Sequence, residues 1–205
     1  MTQPDTRRPD PGPFGDDPLE EQVVEREVIR RGSYLEFRVD TIRRADGSGG
    51  TRDVVGHPGA IAVLAVDDDR RLLLIRQWRI PAGRALLEIP AGTLDVHDGV
   101  TEDPDLAARR ELEEETGHRA ARWRKLAEFW TAPGFATELM HLYLATGIAG
   151  ATEDDRLTPD EDERLELRHA TLDEALAMVE SGEISDAKSM LAILWLDRLA
   201  RSGEL

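Results

Sequence analysis

Arg110-Glu111-Leu112-Glu113-Glu114-Glu115-Thr116-Gly117 crowds four carboxylates into the residues just before a glycine. The segment reads as a helix end, because Gly117 can take the left-handed conformation that closes a helix. Helical spacing puts Glu111 on one face with Glu114 and Glu115, three and four positions on. The helix macrodipole already makes this end negative, so each added acid costs roughly 0.3 kcal/mol or more. Like charges four residues apart add a similar penalty. A sequence selected for stability alone would carry Lys or Arg there. Two readings explain the acids: a solvated face in an acidic chain, or a site for a divalent cation. Oxygen-only donors of this kind suit Mg²⁺ or Mn²⁺ better than zinc.

Working outward, Asp103 can cap the start of this helix, and Pro104 sits in the first turn, where a missing N–H does no harm. Upstream lies Leu87-Glu88-Ile89-Pro90-Ala91-Gly92. Before it, the apolar runs Ala60 to Val66 and Leu72 to Ile75 flank Asp67-Asp68-Asp69-Arg70 and read as a hairpin of two central strands. Tyr34 to Ile42 alternates like a half-buried strand, as does Val23 to Val28, and Asp46-Gly47-Ser48-Gly49-Gly50 is a turn. Downstream, strands are expected near Trp123 to Phe129, Leu139 to Ala145 and Arg164 to Arg168. Thr171 with Glu174 forms a capping box for a helix to Met178. Ser185 is expected to cap a last helix whose Met190, Leu191, Ile193, Leu194 and Leu199 form an apolar face, with Gly203 beyond it. Strands, one helix, strands, then two helices give an α+β class with helices packed on a mixed sheet.

Composition narrows the possibilities further. The chain has 205 residues and a net charge of −16. Such a surface argues against nucleic-acid backbone binding. Absence of cysteine excludes disulfide scaffolds, Cys-ligated metals and thiol nucleophiles. The longest apolar runs, such as Met190 to Leu196, are too short to cross a bilayer. Residues 1–18 hold five prolines and almost nothing apolar, so a disordered tail without a secretory signal is expected. Residues 19–56 then form an N-terminal β-strand segment and 57–205 the main domain, in a cytoplasmic protein.

The pattern around the acidic helix resembles the Nudix box. That motif runs glycine, five residues, glutamate, seven residues, then Arg-Glu-aliphatic-any-Glu-Glu-any-Gly. Arg110, Glu111, Leu112, Glu114, Glu115 and Gly117 match without a gap. One departure stands out. Glu102 keeps the spacing to Arg110, but nine residues separate it from Gly92, so an insertion falls in Val96 to Thr101. This leaves the role of Glu102 open. His118 replaces the usual aliphatic residue. The resemblance implies a Nudix-type α/β/α sandwich with N-terminal antiparallel strands. It also implies Mg²⁺, or Mn²⁺, held by Glu111, Glu115 and the main-chain carbonyl of Ala91, with Glu114 in support and Arg110 orienting the acids.

Gln77-Trp78-Arg79 before Leu87 to Gly92 is similar to the ADP-ribose pyrophosphatase branch of that family. So are Ala132-Pro133-Gly134-Phe135, Glu138, the run Leu142 to Ala145, and Gly182-Glu183-Ile184-Ser185-Asp186-Ala187-Lys188. The branch implies hydrolysis of ADP-ribose to AMP and ribose 5-phosphate, by a homodimer that exchanges its N-terminal strands. Substrate contacts then fall to Arg79, Trp78, Phe135 and Glu138, with a plain ion pair the other reading for Arg79. Tyr34 and Phe37 read as core residues, with stacking on adenine the alternative. In Thr158-Pro159-Asp160-Glu161-Asp162-Glu163, alignment with the branch gives Glu161 as base and Glu163 as a further metal ligand, with Asp160 and Asp162 as rivals. Other readings are a pyrophosphatase for GDP-mannose or for a flavin or nicotinamide dinucleotide, and a non-catalytic ADP-ribose sensor. The intact acidic set argues against the sensor.

Overall fold

The protein is described by a computed structural model over residues 5–7, 15, 17–152, 157 and 164–204. It divides into two compact units, Met1–Gly59 with Ala132–Glu138, and Ala60–Thr131 with Leu139–Leu205.

The first unit is an antiparallel sheet of β1 (Asp5–Arg7), β2 (Glu21–Arg31), β3 (Glu36–Arg44) and β4 (Gly49–Gly56), in that order. Most of the expected N-terminal tail lies outside the described residues, but Asp5–Arg7 within it pairs with β2, so the disordered reading is corrected there. Gly47 takes φ +84° in the β3–β4 turn, where Asp46 Oδ1 accepts the Ser48 N–H. Only Val28 and Ile42 are buried apolar residues of these strands. The buried acid Asp40 is satisfied by Arg26 at 3.0 Å and Arg38 at 3.2 Å. The core reading of Tyr34 and Phe37 is corrected: they are 54% and 41% exposed. Strand β3 starts at Glu36, so Tyr34 falls in the bend before it rather than within the sheet.

The second unit begins with β5 (Ala60–Val66), β6 (Arg71–Arg79), a single 3₁₀ turn (Ile80–Ala82), β7 (Arg84–Glu88) and β8 (Ala91–Thr93). A small hairpin follows, β9 (Val96–His97) and β10 (Val100–Thr101), and then α1 (Pro104–Thr116). The rest is β11 (His118–Trp130), β12 (Leu139–Gly150), β13 (Leu165–Thr171), α2 (Leu172–Ser181) and α3 (Ala187–Ser202). The main sheet runs β11-β12-β5-β6-β13, with β12 and β5 parallel and the other pairs antiparallel.

Every residue of β5 is buried. Strand alternation sends Ala60, Ala62, Leu64 and Val66 into one core layer and Ile61, Val63 and Ala65 into the other. Ala175 of α2 and Ile193, Leu196 and Leu199 of α3 fill the first layer; Ala107, Ala108 and Leu112 of α1 fill the second. Helices therefore cover both faces of a mixed sheet, as an α/β/α sandwich requires. Each fully buried Leu or Ile contributes roughly 1.5–3 kcal/mol, and β5 feeds both core layers.

The β5–β6 hairpin differs from its sequence reading in one respect that matters. After the Asp67–Arg70 turn the two strands share a single pair, Val66 with Leu72, and then separate. The gap is used by β7, which pairs with β6, and β8, which pairs with β5. The Val63 N–H donates to Pro90 O at 2.8 Å in between. This split brings Ala91 and Gly92 next to α1.

Helix ends follow local chemistry. Asp103 accepts the Asp105 N–H, and Gly117 closes α1 at φ +69° with its N–H on Glu113 O. Thr171 and Glu174 form the capping box of α2. The cap of α3 is Asp186, not Ser185: Asp186 accepts the Ser189 N–H, while the Ser185 hydroxyl takes a bond from Arg84. Among the described residues no helix is long and apolar enough to cross a membrane.

Candidate active site

In the second unit, Glu111 and Glu115 both reach the backbone of Ala91 and Gly92. The Glu115 carboxylate is buried and accepts the Ala91 N–H at 2.8 Å. Glu111 lies directly over Gly92: a Cβ on that glycine would sit 2.0 Å from the Glu111 carboxyl carbon. Gly92 is thus required by close approach, not by its dihedral angles.

Arg110 ties the acids together. Its Nη1 donates to Glu111 Oε1 and to Glu114 Oε2, both at 2.8 Å. Its Nε and Nη2 donate to Glu102 at 3.2 and 2.8 Å. The Glu102 hydrogen bond is the largest reason why Arg110 is held above its usual pKa, and Arg110 in turn holds Glu102 below the usual carboxylate range. This answers the question left by the insertion. The extra residues fold out as β9–β10 around a turn with Asp98 at φ +52° and Gly99 at φ +80°. The hairpin base is closed by the Glu102 N–H on Asp95 O at 2.8 Å. Glu102 therefore still reaches Arg110 despite the longer loop.

The fourth carboxylate of the segment does something else. Glu113 is buried and takes two bonds of 2.7 Å from Arg119, plus the Leu157 N–H at 3.1 Å.

Arg79, at the end of β6, donates Nε and Nη2 to the two oxygens of Glu88 at 3.0 and 2.8 Å. Glu88 is 1% exposed and also accepts from Lys188 of α3. Burial pushes the Glu88 carboxyl up, but the two cations win and hold it below the usual range. Glu115 and Asp186 add to the negative field around Arg79. A cavity of about 910 Å³ is lined by Trp78, Arg76, Glu115, His118, Arg164 and Leu165, among others.

Phe135 and Glu138 belong to the first unit. Phe135 is exposed, in a turn fastened by the Val55 N–H on Phe135 O at 2.7 Å. Glu138 Oε1 lies 3.6 Å from Nε2 of His57. Burial lowers the His57 pKa, against the opposing pull of Glu138. Glu161 and Glu163, with their rivals Asp160 and Asp162, lie outside the described residues.

Among the described residues no group of three or more His, Cys, Asp or Glu could hold a metal by itself. The donors that do converge are two carboxylates beside the Ala91–Gly92 backbone, a set that fits a hard divalent cation. Magnesium commonly takes only one or two protein carboxylates and completes its shell with water and substrate phosphate.

Sequence reasoning gave no role to Glu88, Lys188 or His57. A signal for the first was present: an acid inside the apolar run Leu86-Leu87-Glu88-Ile89 implies a buried partner. Lys188 is one of only two lysines in the chain. For His57 no comparable signal exists.

A model of the NUDIX domain matches residues 56–192. The chain belongs to the Nudix family. It is 42% identical over 178 residues to the ADP-ribose pyrophosphatase of Bacillus subtilis (strain 168), an alignment covering 87% of this chain and 93% of that one. The methanol dehydrogenase activator of Bacillus methanolicus is 38% identical over the same shares of the two chains. Among solved structures, a crystal structure of ADP compounds hydrolase superposes with a TM-score of 0.76 at 21% identity. It covers 93% of this chain and all of its own, and shows the Nudix fold shared.

Proposed function

We propose that this Nudix protein hydrolyses the pyrophosphate bond of ADP-ribose, giving AMP and ribose 5-phosphate. The observation that carries this reading is the convergence of Glu115, bonded to the Ala91 N–H, and Glu111, packed over Gly92, on one stretch of backbone. The kinship with a named ADP-ribose pyrophosphatase over 87% of the chain supports the choice of substrate.

The proposed cofactor is Mg²⁺, with Mn²⁺ as the alternative, held by Glu111, Glu115, the Ala91 carbonyl and Glu163. Bound there, a divalent cation would neutralise charge on the pyrophosphate oxygens and make water a better nucleophile. Arg110 keeps the carboxylates of Glu111 and Glu114 from splaying, so the acids are ordered before substrate arrives. Arg79 offers a guanidinium fork to phosphate or terminal ribose oxygens. Trp78 and Phe135 supply apolar surface to the substrate, and Glu138 accepts a ribose hydroxyl. Glu161 takes the proton from the attacking water as its oxygen bonds to phosphorus and the bridging P–O bond breaks. The protein is proposed to act in the cytoplasm as a homodimer, with its N-terminal strands exchanged.

The test is a panel of nucleoside diphosphate sugars with Mg²⁺, products being identified by chromatography. AMP and ribose 5-phosphate from ADP-ribose are expected. GDP-sugar turnover far above ADP-ribose turnover would overturn the substrate. Glu115→Gln should lose turnover by orders of magnitude while its melting curve stays cooperative; unchanged turnover removes the metal assignment.

A further inference from the structure

Two neighbouring strands and a helix a hundred residues further on meet around one buried carboxylate. Glu88 ends β7, Arg79 ends β6, and Lys188 lies in the first turn of α3. The Arg79–Glu88 contact is fork to fork, with Nε and Nη2 on separate oxygens at 3.0 and 2.8 Å. That geometry fixes both the position and the plane of the guanidinium, which a single bond cannot do. Lys188 donates to the same carboxylate, and its Nζ also reaches Asp186 Oδ1 at 2.9 Å. Asp186 is in turn fixed as the cap of α3 by the Ser189 N–H at 3.1 Å, and the Ser189 hydroxyl accepts the buried Ile89 N–H at 2.9 Å. The chain of contacts thus runs from a helix start through Lys188 and Glu88 to Arg79.

A purely structural ion pair explains this arrangement poorly. Burying charge is expensive, and an apolar pair of similar volume often serves stability as well. Glu88 is 1% exposed, whereas the Arg79 side chain keeps 36% of its surface accessible. The buried partner is rigid and the arginine it holds is open to solvent. Held by Nε and Nη2, Arg79 has its Nη1 edge outside the fork.

We propose that Glu88, clamped by Lys188, is a positioning residue that presents Arg79 in one orientation to the substrate and so sets substrate affinity. This rests on the substrate role proposed for Arg79. The fixed guanidinium lowers the ordering cost of binding an oxyanion, because the side chain does not have to be immobilised when the ligand arrives.

The test compares Glu88→Asp, Lys188→Met and Arg79→Lys with the parent, using AMP release from ADP-ribose with Mg²⁺. Glu88→Asp keeps the charge but shortens the arm by one methylene, so a neutralising role survives it and a positioning role does not. All three variants should raise KM by about tenfold or more, with kcat changed far less. A folded Glu88→Asp with parental KM overturns the proposal, as does a loss confined to kcat. Lys188→Met leaves both Arg79 and Glu88 in the chain but removes the clamp on their contact, and it serves if Glu88→Asp fails to fold; parental KM there also overturns the clamp. The Arg79 Nε–Hε resonance gives a readout independent of turnover. It should be sharp and slowly exchanging in the parent and averaged with the other arginines in Glu88→Asp or Lys188→Met. If the parent releases no AMP, the proposed activity fails, and that resonance alone decides the positioning claim: sharp in the parent and averaged in the variants supports it, and no difference overturns it.

Discussion

Glycine 92 shows how much a single hydrogen can decide. The Glu111 carboxylate occupies the space that any Cβ at position 92 would need, 2.0 Å from its carboxyl carbon. Gly92→Ala must therefore swing the Glu111 carboxylate away from the Ala91–Gly92 backbone. The atoms met are the far end of a flexible side chain, so stability should change little, whereas a misplaced acid should lower kcat by about a hundredfold. Steady-state kinetics beside a urea melt checks both; a variant with parental kcat would show that Glu111 need not sit there. Glu88 makes a different prediction. Its folded pKa is depressed below 4.5, so its pairing stabilises the fold at pH above that value and is lost as pH falls through the folded pKa. Urea melts should show stability falling below pH 4.5, and less steeply in Glu88→Gln; equal slopes would remove Glu88 from the acid response. The acidic box stood out because carboxylates at a helix C-terminus are costly, but its reading as a cation site rested on the resemblance to the Nudix box rather than on that cost. The fork between Glu88 and Arg79 was not legible, because partners nine residues apart announce no pairing when a strand reversal separates them.

At the scale of elements, capping chemistry was the most legible feature. Asp103, Gly117, Thr171 with Glu174, and Gly203 all act where local rules put them. The cap of α3 moved by one residue because Ser185 is engaged by Arg84, a partner that no local rule can supply. The β5–β6 hairpin was seen, but its split was not. An apolar run such as Ala60 to Val66 looks the same whether its neighbour is β6 or β8. The insertion was visible as a spacing error, and its form as β9–β10 only in the structure. This hairpin projects exposed Val96 and Val100, and its base carries the hydrogen bonds between Asp95 and Glu102, His97 adding only a charge interaction. Deleting residues 97–100 and rejoining the ends should leave kcat and KM within about twofold, since surface hairpins tolerate length changes. A tenfold loss would mean that the hairpin, not only its base, serves Glu102 and Arg110.

For the whole molecule, the legible part was the layered second unit, because strand and helix periodicities repeat across its length. The first unit was less legible, since its strands alternate without filling a core of their own. Val28 and Ile42 are its buried apolar strand residues, while Ile29, Tyr34, Leu35 and Phe37 stay exposed. A sheet with so little buried apolar surface is marginal by itself, and a cluster of exposed apolar side chains commonly marks a partner surface. The proposed homodimer supplies that partner. Light scattering at micromolar concentration should give twice the chain mass of 22.9 kDa. Placing charge on the surface in Tyr34→Asp with Phe37→Asp should return the mass to one chain, while the second unit keeps its helical circular dichroism. A parent that already runs as one chain would mean that these residues face solvent in the working protein, and the exchanged-strand reading would fall with it.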